Sequence, residues 1–142
     1  MVHALQKIHR LLRPAGHLID IHPTSDPASI EVRLGQQTTL AGWLHENDDY
    51  VEYEYADEAL AKVAGSGLFV VERAGVFQFV THAASIAELR DFLTEDWEDA
   101  SIDDITVARV DELMSTPERD KEVILRESIR IARLKPLQTF LA

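Results

Sequence analysis

Asp20 and His22 stand two residues apart in the segment Leu18-Ile19-Asp20-Ile21-His22. On an extended strand, residues i and i+2 share a face, so this carboxylate and this imidazole would point the same way. A carboxylate that orients an imidazole is a common arrangement for general-base work. Asp20 and His22 are therefore the candidate catalytic residues. The plainer alternative is that Asp20 pairs with a nearby base and His22 caps the turn before Pro23. Trp43, Tyr50 and Tyr53 flank an acidic stretch and are the candidate substrate-binding residues; the plainer alternative for them is core and rim. His3 and His9 are six residues apart, on different helix faces, and no H-x-x-x-H pair occurs, so no metal ligands are expected. Nor is there a G-x-S-x-G turn for a nucleophilic serine.

The chain around these residues has 142 residues, enough for one compact domain over 1–142. Apolar residues make up 46% and charged residues 27%, a globular balance. The absence of cysteine excludes disulfides, thiolate metal sites and thiol nucleophiles. No apolar run approaches the ~18 residues of a membrane span, and the start lacks a secretory pattern, so a cytoplasmic location is expected. The net charge of −11 argues against a nucleic-acid or anionic-membrane partner. Residues 46–104 carry 16 acids against three bases, whereas the last 38 residues carry seven bases and six acids. A solvated acidic surface is the simplest account of that asymmetry.

Hydrophobic spacing places the elements. Leu5, Ile8, Leu11 and Leu12 predict a helix over 2–13, ended by Pro14-Ala15-Gly16. Residues 17–22 follow as a strand. Ile30, Val32 and Leu34 alternate with Glu31 and Arg33, which predicts a hairpin of 29–34 and 37–45 around Gly35-Gln36. Asp48 or Asp49 is expected to cap a helix running to about Ala64, stopped by Gly65-Ser66-Gly67. A second strand pair, 68–73 and 76–82, is expected across Ala74-Gly75. Ser85-Ile86-Ala87-Glu88 fits a capping box opening a helix to about Glu95, and another helix runs from Asp103 or Asp104 to Met114. Over 122–134 both a strand period and a helical basic stripe are present, and periodicity alone does not choose.

The segment Ala4–Ile21, with its turn Arg10-Leu11-Leu12-Arg13-Pro14-Ala15-Gly16, resembles a stretch of class I S-adenosylmethionine-dependent methyltransferases. In that family a helix ends in an R-x-L-[KR]-P-G-G turn and feeds the fifth strand of a doubly wound sheet; Ala15 here replaces the first glycine. Residues 127–136 are similar to the family's closing antiparallel strand, which favours a strand over 122–134. The resemblance implies an α/β fold, α+β in isolation: part of a doubly wound, mixed sheet with helices packed on it.

That resemblance extends only to the family's C-terminal half. The cofactor half needs a glycine-rich turn after its first strand and an acidic residue after its second. Gly65-Ser66-Gly67 is a G-x-G in letters, but it follows a helix and precedes a strand. Full-length relatives would place Met1 just after the fourth strand. The expectation is a truncated or partial methyltransferase-like domain, inactive alone, with S-adenosylmethionine implied by the resemblance but not bound by this chain by itself. A stand-alone binding or dimerisation module is the alternative, and a small enzyme using Asp20 and His22 across a dimer is a third. A homodimer, or pairing with a missing N-terminal half, is expected, with the strand at 17–22 and an uncovered apolar face of the helix at 2–13 as the seam.

Overall fold

The computed structural model describes residues 1–47 and 50–138. It is an α+β fold with four helices, a five-stranded, mostly antiparallel sheet and a two-stranded sheet. The elements are α1 (Val2–Leu11), β1 (Leu18–Pro23), β2 (Ser29–Leu34), β3 (Gln37–Trp43), β4 (His45–Glu46), α2 (Val51–Gly65), β5 (Phe69–Ala83), α3 (Ile86–Asp96), β6 (Ala100–Ser101), α4 (Asp104–Met114) and β7 (Lys121–Pro136). The organising strand is β7. Residues 129–134 of β7 pair antiparallel with β1, residues 121–126 pair antiparallel with β2, and β5 also pairs with β7. The ambiguous C-terminal segment is therefore strand. No parallel pairing of β1 is present among the described residues, where its strand partner is the antiparallel β7.

The chain divides into two compact units. The first comprises Met1–Ser25, Val51–Phe77 and Ile129–Ala142. Its core is Leu5 of α1, Ala59, Leu60 and Val63 of α2, Phe69 of β5, and Ala132 and Leu134 of β7. Val2 and Leu12 pack against this cluster. The apolar face of α1 is thus covered by α2 and β7, which corrects the expectation that it is left bare. Leu11, counted in the same apolar set, is 84% exposed. The helix stops because Pro14 cannot continue it, and the Gly16 N–H closes the turn on the Arg13 carbonyl at 2.8 Å. At its far end α2 unwinds at Gly67, whose φ of +76° suits glycine. The expected Asp48 or Asp49 cap lies outside the described residues.

The second unit comprises Asp26–Tyr50 and Gln78–Ser128. Ile30 and Val32 of β2 and Val123 and Leu125 of β7 are fully buried and pack with Leu89 and Leu93 of α3 and Val110 of α4. Burying each such side chain contributes roughly 1.5–3 kcal/mol. The β2–β3 hairpin turns at Gly35 with φ +60°, while Gln36 keeps a negative φ, the pattern of a type II′ turn. The Ser85 side chain accepts from the Glu88 N–H, and Glu88 reaches back to the Ala84 N–H, so α3 opens on a capping box displaced by one residue. In α4, Asp103 accepts from the Thr106 N–H at 2.7 Å.

One expected element is absent. Residues 69–83 form a single strand, not two strands joined at Ala74-Gly75. A two-residue hairpin requires a positive φ at its centre, and Gly75 is not among the positive-φ glycines. The alternation on both sides of Gly75 instead continues one 15-residue strand beside the 16-residue β7.

Candidate functional site

The strand period of β1 puts Leu18, Asp20 and His22 on one face and Ile19 and Ile21 on the other. Asp20 Oδ2 lies 2.5 Å from His22 Nδ1. The other ring nitrogen, Nε2, lies 2.9 Å from Asp57 Oδ1 on α2. Arg130 stands directly across from His22 on β7, with its Nε 3.5 Å from the same Asp57 oxygen. That is ion-pair range; the buried Nε makes no hydrogen bond. The His22 and Asp20 side chains are 10% and 13% exposed, while Asp57 is 37% exposed.

Both ring nitrogens of His22 face a carboxylate oxygen, so the imidazole is engaged on both sides. Arg130 brings a cation to the same Asp57 oxygen. Asp20's partner is His22 itself, not a neighbouring lysine or arginine. The cluster is an ionic lock between α2 and the strands of the first unit.

The aromatic candidates fall in different places. Trp43, at the end of β3, is 48% exposed and lines a concavity of the second unit. Tyr50, also of the second unit, is buried and donates its hydroxyl to the Leu44 carbonyl at 2.8 Å. Its φ of +66° is held by that burial. Tyr53 is half-buried on α2 of the first unit.

The other charged groups form networks that sequence spacing did not reveal. His17 and Arg133 both reach Glu72 Oε2, at 3.1 and 3.0 Å. Arg33 binds Asp120 and Glu122, and His82 joins Glu122. Hydrogen bonds from Arg33 hold the Asp120 and Glu122 carboxyls below their usual range, and His82 adds to the effect on Glu122. The Thr106 backbone and side chain, and then His45, do the same for Asp103. Glu127 is the opposite case, its carboxyl pushed up by burial. Among the described residues no group of three or more His, Asp or Glu could hold a metal ion. Among the described residues no helix is long and apolar enough to cross a membrane.

Asp57 and Arg130 are the neighbours of His22 that the sequence hid. Asp57 is 35 residues from His22, in a helix rich in acids, and nothing in its spacing marks it. Arg130 belonged to a visible basic stripe, but only the register with β1 brings it to His22.

S-adenosylmethionine does not fit the glycines present. Gly65-Ser66-Gly67 closes α2 and leads into β5, the reverse of a strand-to-helix turn whose backbone N–H groups would meet a ligand. No family model, curated protein or solved structure matches the chain.

Proposed function

We propose that this chain is the C-terminal half of a methyltransferase-like domain and works as one part of a two-part assembly, inactive by itself. The observation that carries the reading is the order of its strands. Helix α1 passes through Arg13-Pro14-Ala15-Gly16 into β1, and the closing strand β7 lies antiparallel to β1 with β5 also paired to β7. The first helix-turn-strand and the closing antiparallel strand are the two segments on which the resemblance rests. Fold analogy alone does not assign a methyl acceptor.

The state of β1 supports the need for a partner. Ile19 and Ile21 are 52% and 59% exposed, and Ile131 of β7 and Val76 of β5 are also exposed. A groove of about 450 Å³ runs beside them, rimmed by Arg73 and Arg133. An apolar sheet surface of this kind marks a contact area. The seam moves accordingly: it is the Ile19–Ile21 face of β1, not the covered α1. A second copy of the chain or an N-terminal half would cover it.

Calorimetric titration with S-adenosylhomocysteine, run alongside light scattering, tests the reading. No saturable heat up to about 1 mM ligand is expected of the chain alone. Micromolar binding would contradict the reading of this chain as a half that does not bind the cofactor by itself.

A further inference from the structure

We infer that the concavity around Trp43 in the second unit binds a neutral, hydroxyl-bearing ring of the pyranose class. It is separate from the Asp20–His22 cluster and does not depend on the methyltransferase-like reading. The strand register builds it. Trp43 of β3 stands opposite Ser29 of β2, and Ser29 stands opposite Arg126 of β7, so the three form one row on one face of the sheet. Ile30 and Val32, the alternate residues of β2, face the core. The concavity holds about 470 Å³, within the range of small-molecule sites.

Its chemistry selects the ligand. Trp43 and Leu40, 48% and 45% exposed, give an apolar platform, extended by Pro27. The C–H face of a pyranose ring is apolar and lies flat against an indole, while its hydroxyls project around the edge. The groups waiting at that edge are of matching type. Ser128 and Gln78 are joined by a 3.0 Å hydrogen bond, and Ser29 donates to Glu31. Arg126 donates through Nε and Nη2 to both Glu31 oxygens at 3.0–3.3 Å. A bidentate pair offers a donor and an acceptor side by side, which is what two adjacent hydroxyls require.

The same charges exclude competitors. Arg126 is matched by Glu31, and Asp26 adds a further acid to the lining, so no excess positive charge awaits a phosphate, sulfate or carboxylate. A single indole does not make the aromatic cage that quaternary ammonium ligands use.

The test is a titration of the ¹⁵N-labelled full chain with the methyl glycosides of glucose, mannose and galactose, following the two indole N–H resonances. At least one glycoside is expected to shift the Trp43 resonance saturably, with Kd on the order of 1 mM, and to leave Trp97 in place. Trp43→Ala should abolish the remaining amide shifts. Gln78→Ala, at an exposed position, should weaken binding about threefold or more with an unchanged melting temperature. No shift with any of the three up to about 50 mM would overturn the inference. So would binding unaffected by Trp43→Ala, or a saturable response to adenosine in the absence of any response to the glycosides.

Discussion

Replacing His22 by alanine should destabilise the chain by about 3–4 kcal/mol. Two charge-assisted hydrogen bonds are lost, each contributing about 1.5–3 kcal/mol where both ends are buried. They do not count equally. Asp20 is 13% exposed and would keep a buried charge with no ring beside it. Asp57 is 37% exposed, so it can turn to water and toward Arg130. Most of the loss therefore comes from stranding Asp20. Asp57→Ala should cost less, about 1 kcal/mol after allowing for solvent screening. The double variant Asp20→Ala/His22→Ala should fall short of the sum of its singles by about 1.5–3 kcal/mol, because removing both partners leaves nothing stranded. Urea denaturation at neutral pH measures the parent and the four variants, the single Asp20→Ala among them. A His22→Ala variant within about 0.5 kcal/mol of the parent would refute the lock, and so would additive single and double effects.

Other predictions rest on particular contacts. Gly42 admits no side chain, because a Cβ there would lie 2.1 Å from Thr106 Oγ1 and 2.9 Å from Thr106 Cβ, so turning the threonine does not relieve it. Gly42→Ala should cost about 1–3 kcal/mol or more and lower Tm by roughly 5 °C or more, read by calorimetry. Ser85→Ala removes the acceptor for the Glu88 N–H and should cost about 1 kcal/mol, with amide exchange rising in the first turn of α3. The carboxyls of Asp103, Asp120 and Glu122 are held below their usual range. Their contribution is fully present above the unfolded-state pKa near 4 and disappears as pH falls through the lower folded values, so Arg33→Ala should flatten the acid limb of the stability–pH profile. Glu127 has the reverse sign: burial raises its folded pKa, so its ionisation opposes folding once pH exceeds the unfolded value. Glu127→Gln should raise Tm at pH 7 and leave it unchanged at pH 3.

Local signals of the fold were legible where one residue type has one strong use. Gly35 between two alternating runs fixed the β2–β3 hairpin, Ser85 and Glu88 marked the start of α3, and Pro14 with Gly16 marked the end of α1. Ala74-Gly75 misled because glycine is equally compatible with an extended strand, and only the length of β7 decides which conformation it takes. Pairing across long separations was not legible at all. The antiparallel placement of 129–134 against 18–23 follows from register, which hydrophobic period does not specify beyond which face is buried. For the same reason Asp20 and His22 could be placed on one face from sequence, while Asp57 and Arg130, which complete the cluster, could not. Tyr50 shows the limit for aromatics: nearness to Trp43 in sequence did not distinguish a buried ring from an exposed one.

The proposed reading of the chain as the second half of a methyltransferase-like domain is tested most directly by mapping the 5′ end of its transcript and reading the frame upstream of the Met1 codon. An open frame encoding a strand, a glycine-rich turn and a helix, or an adjacent gene encoding them, is expected. A stop codon close upstream, with no such segment on the same transcript, would contradict it.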